Sequence, residues 1–259
     1  MPICEKKSIS LYRAQRMYTR LKKIGFHITP KWMRRKIEPL GRSIIALSYR
    51  GTQYQCNLCN YRLRQFVQLS SGDLLCPRCG SLGRTRGLWA VIKDRIDGKK
   101  VLHFSPPKSL RTKLAASKTL TYISSDYMGE FASDKQYDLC NIAMEDNATD
   151  VILCFHVLEH IEDDQLAMSE LYRILVPGGQ AYIQTPFKSG EIYEDLNLTS
   201  PEDRKIHFGQ EDHVRIYSPE GLKTRLQNQG FDVEIIRQKH EANHINGLKA
   251  DEIILIASK

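Results

Sequence analysis

Four cysteines fall in two tight pairs, Cys56-Asn57-Leu58-Cys59 and Cys76-Pro77-Arg78-Cys79, with sixteen residues between them. A C-x2-C knuckle turns the backbone so that two thiolates converge on one metal. A second knuckle about 15 to 20 residues further on completes a tetrahedral four-sulfur site suited to zinc. Four thiolates leave no open coordination position, so this metal is expected to hold structure together and to take no part in chemistry. Cys4, Cys140 and Cys154 read as free or buried thiols, and seven cysteines in this pattern do not resemble a secreted disulfide framework.

Two further groups carry chemistry. His156, Glu159 and His160 share one face if they lie on a helix, and they can hold a divalent ion or move a proton. The order His-x-x-Glu-His also matches a metalloprotease pattern, but its place directly after a strand argues against peptidase chemistry. The alternative is helix capping and packing by Glu159 and His160. His207, Gln210, Asp212, His213 and Arg215 lie in a long segment without clear periodicity, residues 186–217. Long loops in compact domains usually serve binding. His213 or His207 is expected as a general base, with Arg215 holding an anionic part of a substrate beside Gln210 and Asp212. The alternative is a hydrogen-bond cluster that anchors the loop.

The elements that must position these groups change character along the chain. Leu11, Ala14, Tyr18 and Leu21 recur at steps of 3, 4 and 3, which predicts an amphipathic helix with a basic flank, ended by Gly25. A second basic apolar stretch, residues 32–37, is expected to close at Pro39. After Gly98 the pattern becomes strand-helix alternation. Strands are expected at 101–104, 120–124, 151–155, 180–185, 231–237 and 251–257, and helices at 110–116, from Asp163 and Asp164 to Leu175, and at 219–229. That alternation predicts an α/β fold, a mostly parallel doubly wound sheet with ligands beyond the carboxyl ends of its strands. The expected organisation is a basic helical arm over 1–50, a zinc-ribbon module with a linker helix over 51–98, and the α/β domain over 99–259.

The 259 residues are 41% hydrophobic and 26% charged, which excludes a disordered or low-complexity chain. No run approaches the roughly 20 apolar residues of a membrane-spanning helix. The net charge of +8 hides an asymmetry: residues 1–100 hold 22 Lys and Arg against 5 Asp and Glu, whereas residues 101–259 hold 16 against 25. The basic part therefore suits an anionic surface, either nucleic-acid phosphate or acidic lipid headgroups. The first residues show no apolar leader, so the expected location is the cytoplasm, with peripheral contact at the inner face of the membrane as an extension of that view.

The run from Val151 to Ile161, followed by Glu170-Leu171-Tyr172-Arg173-Ile174-Leu175-Val176-Pro177-Gly178-Gly179, resembles strand four through the turn before strand five of class I S-adenosylmethionine-dependent methyltransferases of the ubiquinone-biosynthesis-like, type 11 group. The basic arm, the four-cysteine module and residues 207–215 together resemble a bacterial subgroup of zinc-ribbon methyltransferases. The resemblance implies a Rossmann-like sheet. It also implies that Asp126 accepts from both ribose hydroxyls of S-adenosylmethionine and Asp138 from the adenine amino group, with His103, Phe104, Ser105, Phe155 and His156 lining the cofactor. His156 and His160 after strand four, with His207 and His213 from the long loop, are the expected catalytic candidates. The segment 103–109 departs from the family, because the glycine-rich first loop of most relatives has no glycine here. His156-x-x-Glu159-His160 is also similar to an E-x-x-E-H motif of relatives that bind a divalent ion, with His156 in place of the first Glu; a second ion near Glu159 and His160 is thus implied.

The function implied is methyl transfer to a hydroxyl or amine. The acceptor is expected to be a cell-envelope glycan, a lipid-linked intermediate or another metabolite, with the basic arm, residues 1–50, resting on an anionic membrane. The alternatives are an RNA methyltransferase that uses the arm and zinc ribbon to bind RNA, and a non-catalytic zinc-ribbon scaffold.

Overall fold

The computed structural model describes Lys31–Lys259 except residue 242, with side chains from residue 38 onward. The helix expected around residues 9–24 and the thiol of Cys4 lie outside the described residues. The chain divides into two compact units. The described part of the first runs from Lys31 to Ala90 and takes in His240–Lys249, and the second comprises Val91–Lys239 and Ala250–Lys259. The boundary expected at 99 thus moves to 91, and residues 240–249, expected in the α/β domain, group with the cysteine module.

In the first unit, helix α1 (Lys31–Leu47) runs through Pro39, where an end was expected. Proline removes one backbone donor from a helix and its ring crowds the preceding turn, at a cost of about 3 kcal/mol. Burial of Ala46 and packing of Ile45 against Tyr49, Val67 and Leu75 hold the following turns. Two antiparallel ribbons follow: β1 (Arg50–Gln55) with β2 (Arg62–Leu63), and β3 (Val67–Gln68) with β4 (Leu74–Leu75). Helix α2 (Gly83–Ile92) leads out of the unit.

The second unit is built on β5 (Lys100–Phe104), β6 (Thr121–Ser125), β7 (Thr149–Phe155), β8 (Leu175–Gln184), β11 (Asp232–Lys239) and β12 (Asp251–Ser258). Their order in the sheet is β11-β12-β8-β7-β5-β6. The β8-β7-β5-β6 part is parallel, while β12 runs antiparallel to both β8 and β11. The elements between are α3 (Lys108–Ala115), a 3-10 turn at Leu158–His160, α4 (Asp164–Ile174) and α6 (Pro219–Asn228). Segment 186–217, which lacked periodicity, holds α5 (Pro201–Phe208) and a short ribbon of β9 (Tyr193–Glu194) with β10 (Arg215–Ile216).

Residues two apart on a strand share a face. Leu102 and Phe104, Ile152 and Cys154, Ala181 and Ile183, and Leu255 and Ala257 accordingly line one face, where they meet Leu171 and Ile174 of α4 and Leu222 and Leu226 of α6. The helices start where their caps dictate: Asp163 accepts from the Leu166 N–H, and Ser200 and Ser218 each precede a proline at the first helical turn. Strand β5 has β6 on one side and β7 on the other, so the chain reverses its direction of travel across the sheet there. Ligands of open parallel sheets bind at that switch, beyond the carboxyl ends of the strands.

Candidate functional site

The first unit gathers the four cysteines. The Cys56 and Cys79 sulfurs lie 3.7 Å apart, and those of Cys59 and Cys76 3.8 Å apart. These are too long for disulfides, and they match the edges of about 3.8 Å of a tetrahedron with zinc–sulfur bonds of about 2.3 Å. The two knuckles are built alike: the Asn60 N–H bonds the Cys56 carbonyl, the Gly80 N–H bonds the Cys76 carbonyl, and both Asn60 (φ 57°) and Gly80 (φ 78°) are left-handed. Asn and Gly are the residues that adopt this conformation at low cost. The donor set fits zinc.

Arg86 lies fully buried beside this cluster, with no carboxylate among its bonded partners. It donates to the carbonyls of Leu74, Ser81, Asn246 and Gly247 and to the Ser81 hydroxyl. The same hydroxyl contacts Cys56 and Cys79. Burial lowers the guanidinium pKa, and the cysteines, Cys56 first, oppose that shift. A buried cation needs a counter-charge, and four thiolates around a divalent ion supply one. Gly247 (φ 56°) is required where the loop closes, since a Cβ there would meet the Phe66 ring at 2.4 Å.

In the second unit, the segment after β7 carries the other chemistry. His156 is left-handed (φ 56°), and its N–H bonds the Gln184 carbonyl at the end of β8. The turn that follows presents Glu159 and His160, and the Val214 N–H bonds the Glu159 carbonyl, which brings His213 alongside. Ligand atoms of Glu159, His160 and His213 all lie within 4.8 Å of one another. The His160 and His213 rings meet edge to face with centroids 4.6 Å apart. Asp212 takes His160 Nδ1 at 3.0 Å, which leaves Nε2 for another partner. His156 Nδ1 lies 3.3 Å from Glu159 Oε1, while Glu159 Oε2 and His156 Nε2 are buried without a hydrogen-bond partner. The pKa of His213 is lowered, first by burial and then by His160, against the opposing pull of Glu159 and Asp212. A neutral imidazole is the form that binds metal. An orphaned buried carboxylate oxygen beside two imidazoles fits a divalent cation.

The switch point lies at the carboxyl ends of β5, β6 and β7. Ser105, directly after β5, is also left-handed (φ 42°). Its hydroxyl donates to Asp126 Oδ1 at 2.9 Å, and the Phe131 N–H donates to Oδ2 at 2.9 Å. Two strained non-glycine residues thus flank the switch, one after each neighbouring strand, and strain of this kind clusters at functional sites. Each carboxylate oxygen accepts two bonds, so Asp126 keeps one acceptor direction per oxygen, which suits a vicinal diol. Asp138, exposed, caps its own turn through the Cys140 N–H. Phe104 and Phe155 are buried at the ends of β5 and β7.

Residues 88–235, more than half of the chain, match the profile of the methyltransferase domain. The chain belongs to the methyltransferase domain family. A protein of Mycolicibacterium smegmatis named as an S-adenosylmethionine-dependent methyltransferase is 28% identical over 97 residues, 38% of this chain. The chain spans about a third, 34%, of that relative's length. Among solved structures, a SAM-dependent methyltransferase from Archaeoglobus fulgidus is 17% identical, with a TM-score of 0.47 over 67% of this chain and 92% of its own. A Haemonchus contortus phosphoethanolamine N-methyltransferase bound to S-adenosyl-L-methionine is 18% identical, with a TM-score of 0.46 over 67% of this chain and 52% of its own.

Within this methyltransferase domain, several expected site residues take other places. Arg215, expected on an anionic substrate, is 2% exposed; it donates to Glu194 and to the carbonyls of Leu158, Ile161 and Glu162. Its guanidinium ties the 3-10 turn and the residues after it to the β9–β10 ribbon, a structural role. His103 is fully buried, with Nδ1 3.0 Å from Tyr122 Oη, and burial lowers its pKa to about 3. Its neutral side chain belongs to the sheet packing. His207 bonds Tyr193 Oη through Nδ1 at 2.6 Å and is exposed on α5, outside the Glu159, His160 and His213 group. Gln210 is exposed in the turn that leads to Asp212. Sequence reasoning placed His213 in a separate loop cluster, and it did not single out Ser81 or Arg86. A buried arginine two turns after a cysteine knuckle carries no periodic mark of its own.

Proposed function

We propose that the second unit transfers a methyl group from S-adenosylmethionine to a hydroxyl or amine, with Glu159, His160 and His213 holding a divalent ion at the acceptor side, while the four cysteines of the first unit hold a structural zinc. The supporting observation is the convergence of Glu159 and His160, four and five residues beyond β7 at the switch of the sheet, with His213 from a later loop, and the buried unpartnered carboxylate oxygen of Glu159. The cofactor's sulfonium methyl is already activated, so the protein has mainly to orient and to deprotonate. Asp126, held by Ser105 and Phe131, receives the ribose hydroxyls, and Asp138 the adenine amino group. Two imidazoles and one carboxylate favour a borderline transition ion such as manganese, iron, cobalt or zinc over magnesium or calcium. Bound there, such an ion lowers the pKa of an acceptor hydroxyl. His156, with Nε2 unpartnered beside Glu159, takes the proton.

Two titrations test this without knowledge of the acceptor. Calorimetry with S-adenosylhomocysteine is expected to show binding to the full chain; no heat at millimolar ligand would sink the transferase reading and favour a scaffold. Manganese binding followed by electron paramagnetic resonance is expected to weaken by more than about 100-fold in Glu159→Gln and in His213→Ala, because each removes a ligand itself and loss of an orienting partner alone costs about 10- to 100-fold, with S-adenosylhomocysteine affinity retained. Unchanged manganese affinity in both variants would remove the ion from the proposal.

A further inference from the structure

We propose that the carboxyl-terminal half of α1 lies on an anionic lipid surface through Leu40, Ile44 and Leu47. These residues are 64%, 63% and 65% exposed. Their steps of four and three place them on one face of the helix. The neighbouring faces are occupied within the first unit: Ala46 is buried, and its carbonyl accepts from Tyr61 Oη at 2.8 Å. Ile45 packs against the Tyr49 cluster, and Arg78 bonds the Ser43 hydroxyl. The helix is therefore fastened to the cysteine module, and the apolar stripe faces away from it.

Charge selects the occupant. Residues 1–50 hold 13 Lys and Arg against 2 Asp and Glu. A second copy of the chain would bring two such segments together, and like charges oppose that pairing. RNA is gripped by cations and by aromatic rings that stack on bases, whereas Leu40, Ile44 and Leu47 offer neither. Branched aliphatic side chains set among basic residues are the composition of helices that lie in the interface of anionic bilayers, with aliphatic groups at the acyl boundary and Lys and Arg at the headgroups. Among the described residues no helix is long and apolar enough to cross a membrane, so the contact lies along the surface.

The full chain, loaded with zinc, is co-sedimented with phosphatidylcholine vesicles and with equimolar phosphatidylcholine–phosphatidylglycerol vesicles. Partition into the anionic vesicles is expected, with at least tenfold loss in Leu40→Ser/Ile44→Ser/Leu47→Ser, while zinc content and S-adenosylhomocysteine binding stay at the parent level. Raising sodium chloride from 0.1 to 0.5 M is expected to weaken the binding in part, because the apolar contribution persists. Equal partition of parent and variant would overturn the proposal. So would a dimer in sedimentation equilibrium that the triple variant abolishes, or gel-shift affinity for total RNA lost in the same variant. Because cofactor binding is read separately, failure on vesicles is distinguishable from failure of the transferase reading.

Discussion

Among the described residues, the two metal-competent centres use opposite designs. The cysteine centre draws all four ligands from two short turns, closes the coordination shell, and sets a buried Arg86 beside it as counter-charge. The histidine centre draws two ligands from the turn after β7 and the third from a loop more than fifty residues later, and it stops at three. Asp212 orients His160 from an exposed position, and Glu159 and His156 each keep a buried side-chain atom without a hydrogen-bond partner. A closed shell of soft thiolates suits a metal that is never exchanged. An incomplete shell of imidazole and carboxylate suits one that meets a substrate. The difference teaches that ligand number and ligand origin, more than proximity of cysteine or histidine, separate a fold-holding metal from a reacting one.

The contrast can be broken most severely at the closed centre. Cys76→Ser is expected to lower bound zinc from about one per chain to near zero, as read by atomic emission, and to abolish cooperative unfolding of the first unit, because structural zinc contributes on the order of 10 kcal/mol. Retained zinc with intact unfolding would mean that the metal is not what holds this unit. Arg86→Met leaves several buried carbonyls without a donor and the four-cysteine group without its neighbouring cation. A loss of about 3–5 kcal/mol in denaturant unfolding is expected, together with faster zinc release to a chelator. Arg86→Lys should recover part of the zinc retention; if Met and Lys release zinc equally slowly, the charge plays no role. The smallest effect belongs to the open centre: Asp212→Asn is expected to weaken manganese binding about tenfold, at the low end for a group that orients a ligand, because Asp212 is 68% exposed. Zinc content should be untouched, and a change there would mean that the two centres are not independent.

Much of this was legible in residue order because it depends on neighbours only. The knuckles need a cysteine pair and a following residue that tolerates positive φ, and Cys56 to Asn60 and Cys76 to Gly80 meet that need locally. The buried run Val151–Phe155, the Asp163 cap and the existence of the two terminal strands follow from periodicity and capping chemistry in the same way. Pro39 was misjudged because the packing of Ile45 and Ala46 against the module offsets the lost donor and ring crowding, a cost of about 3 kcal/mol that local sequence alone weighs. Arg215 was misjudged because an arginine in a long loop looks identical in sequence whether it binds an anion or caps three carbonyls and a carboxylate.

By itself, then, the sequence determined the four-cysteine donor set, the strand-helix alternation and the division of charge, all of which are written in short spacings and counts. Tertiary structure alone decided that His213 joins Glu159 and His160, that Ser105 and Phe131 hold Asp126, and that the carbonyls of Asn246 and Gly247 return to Arg86. Those contacts depend on where loops end after crossing a sheet or returning to a module. A path of that kind is set by the packing of the whole core, and no local propensity encodes it.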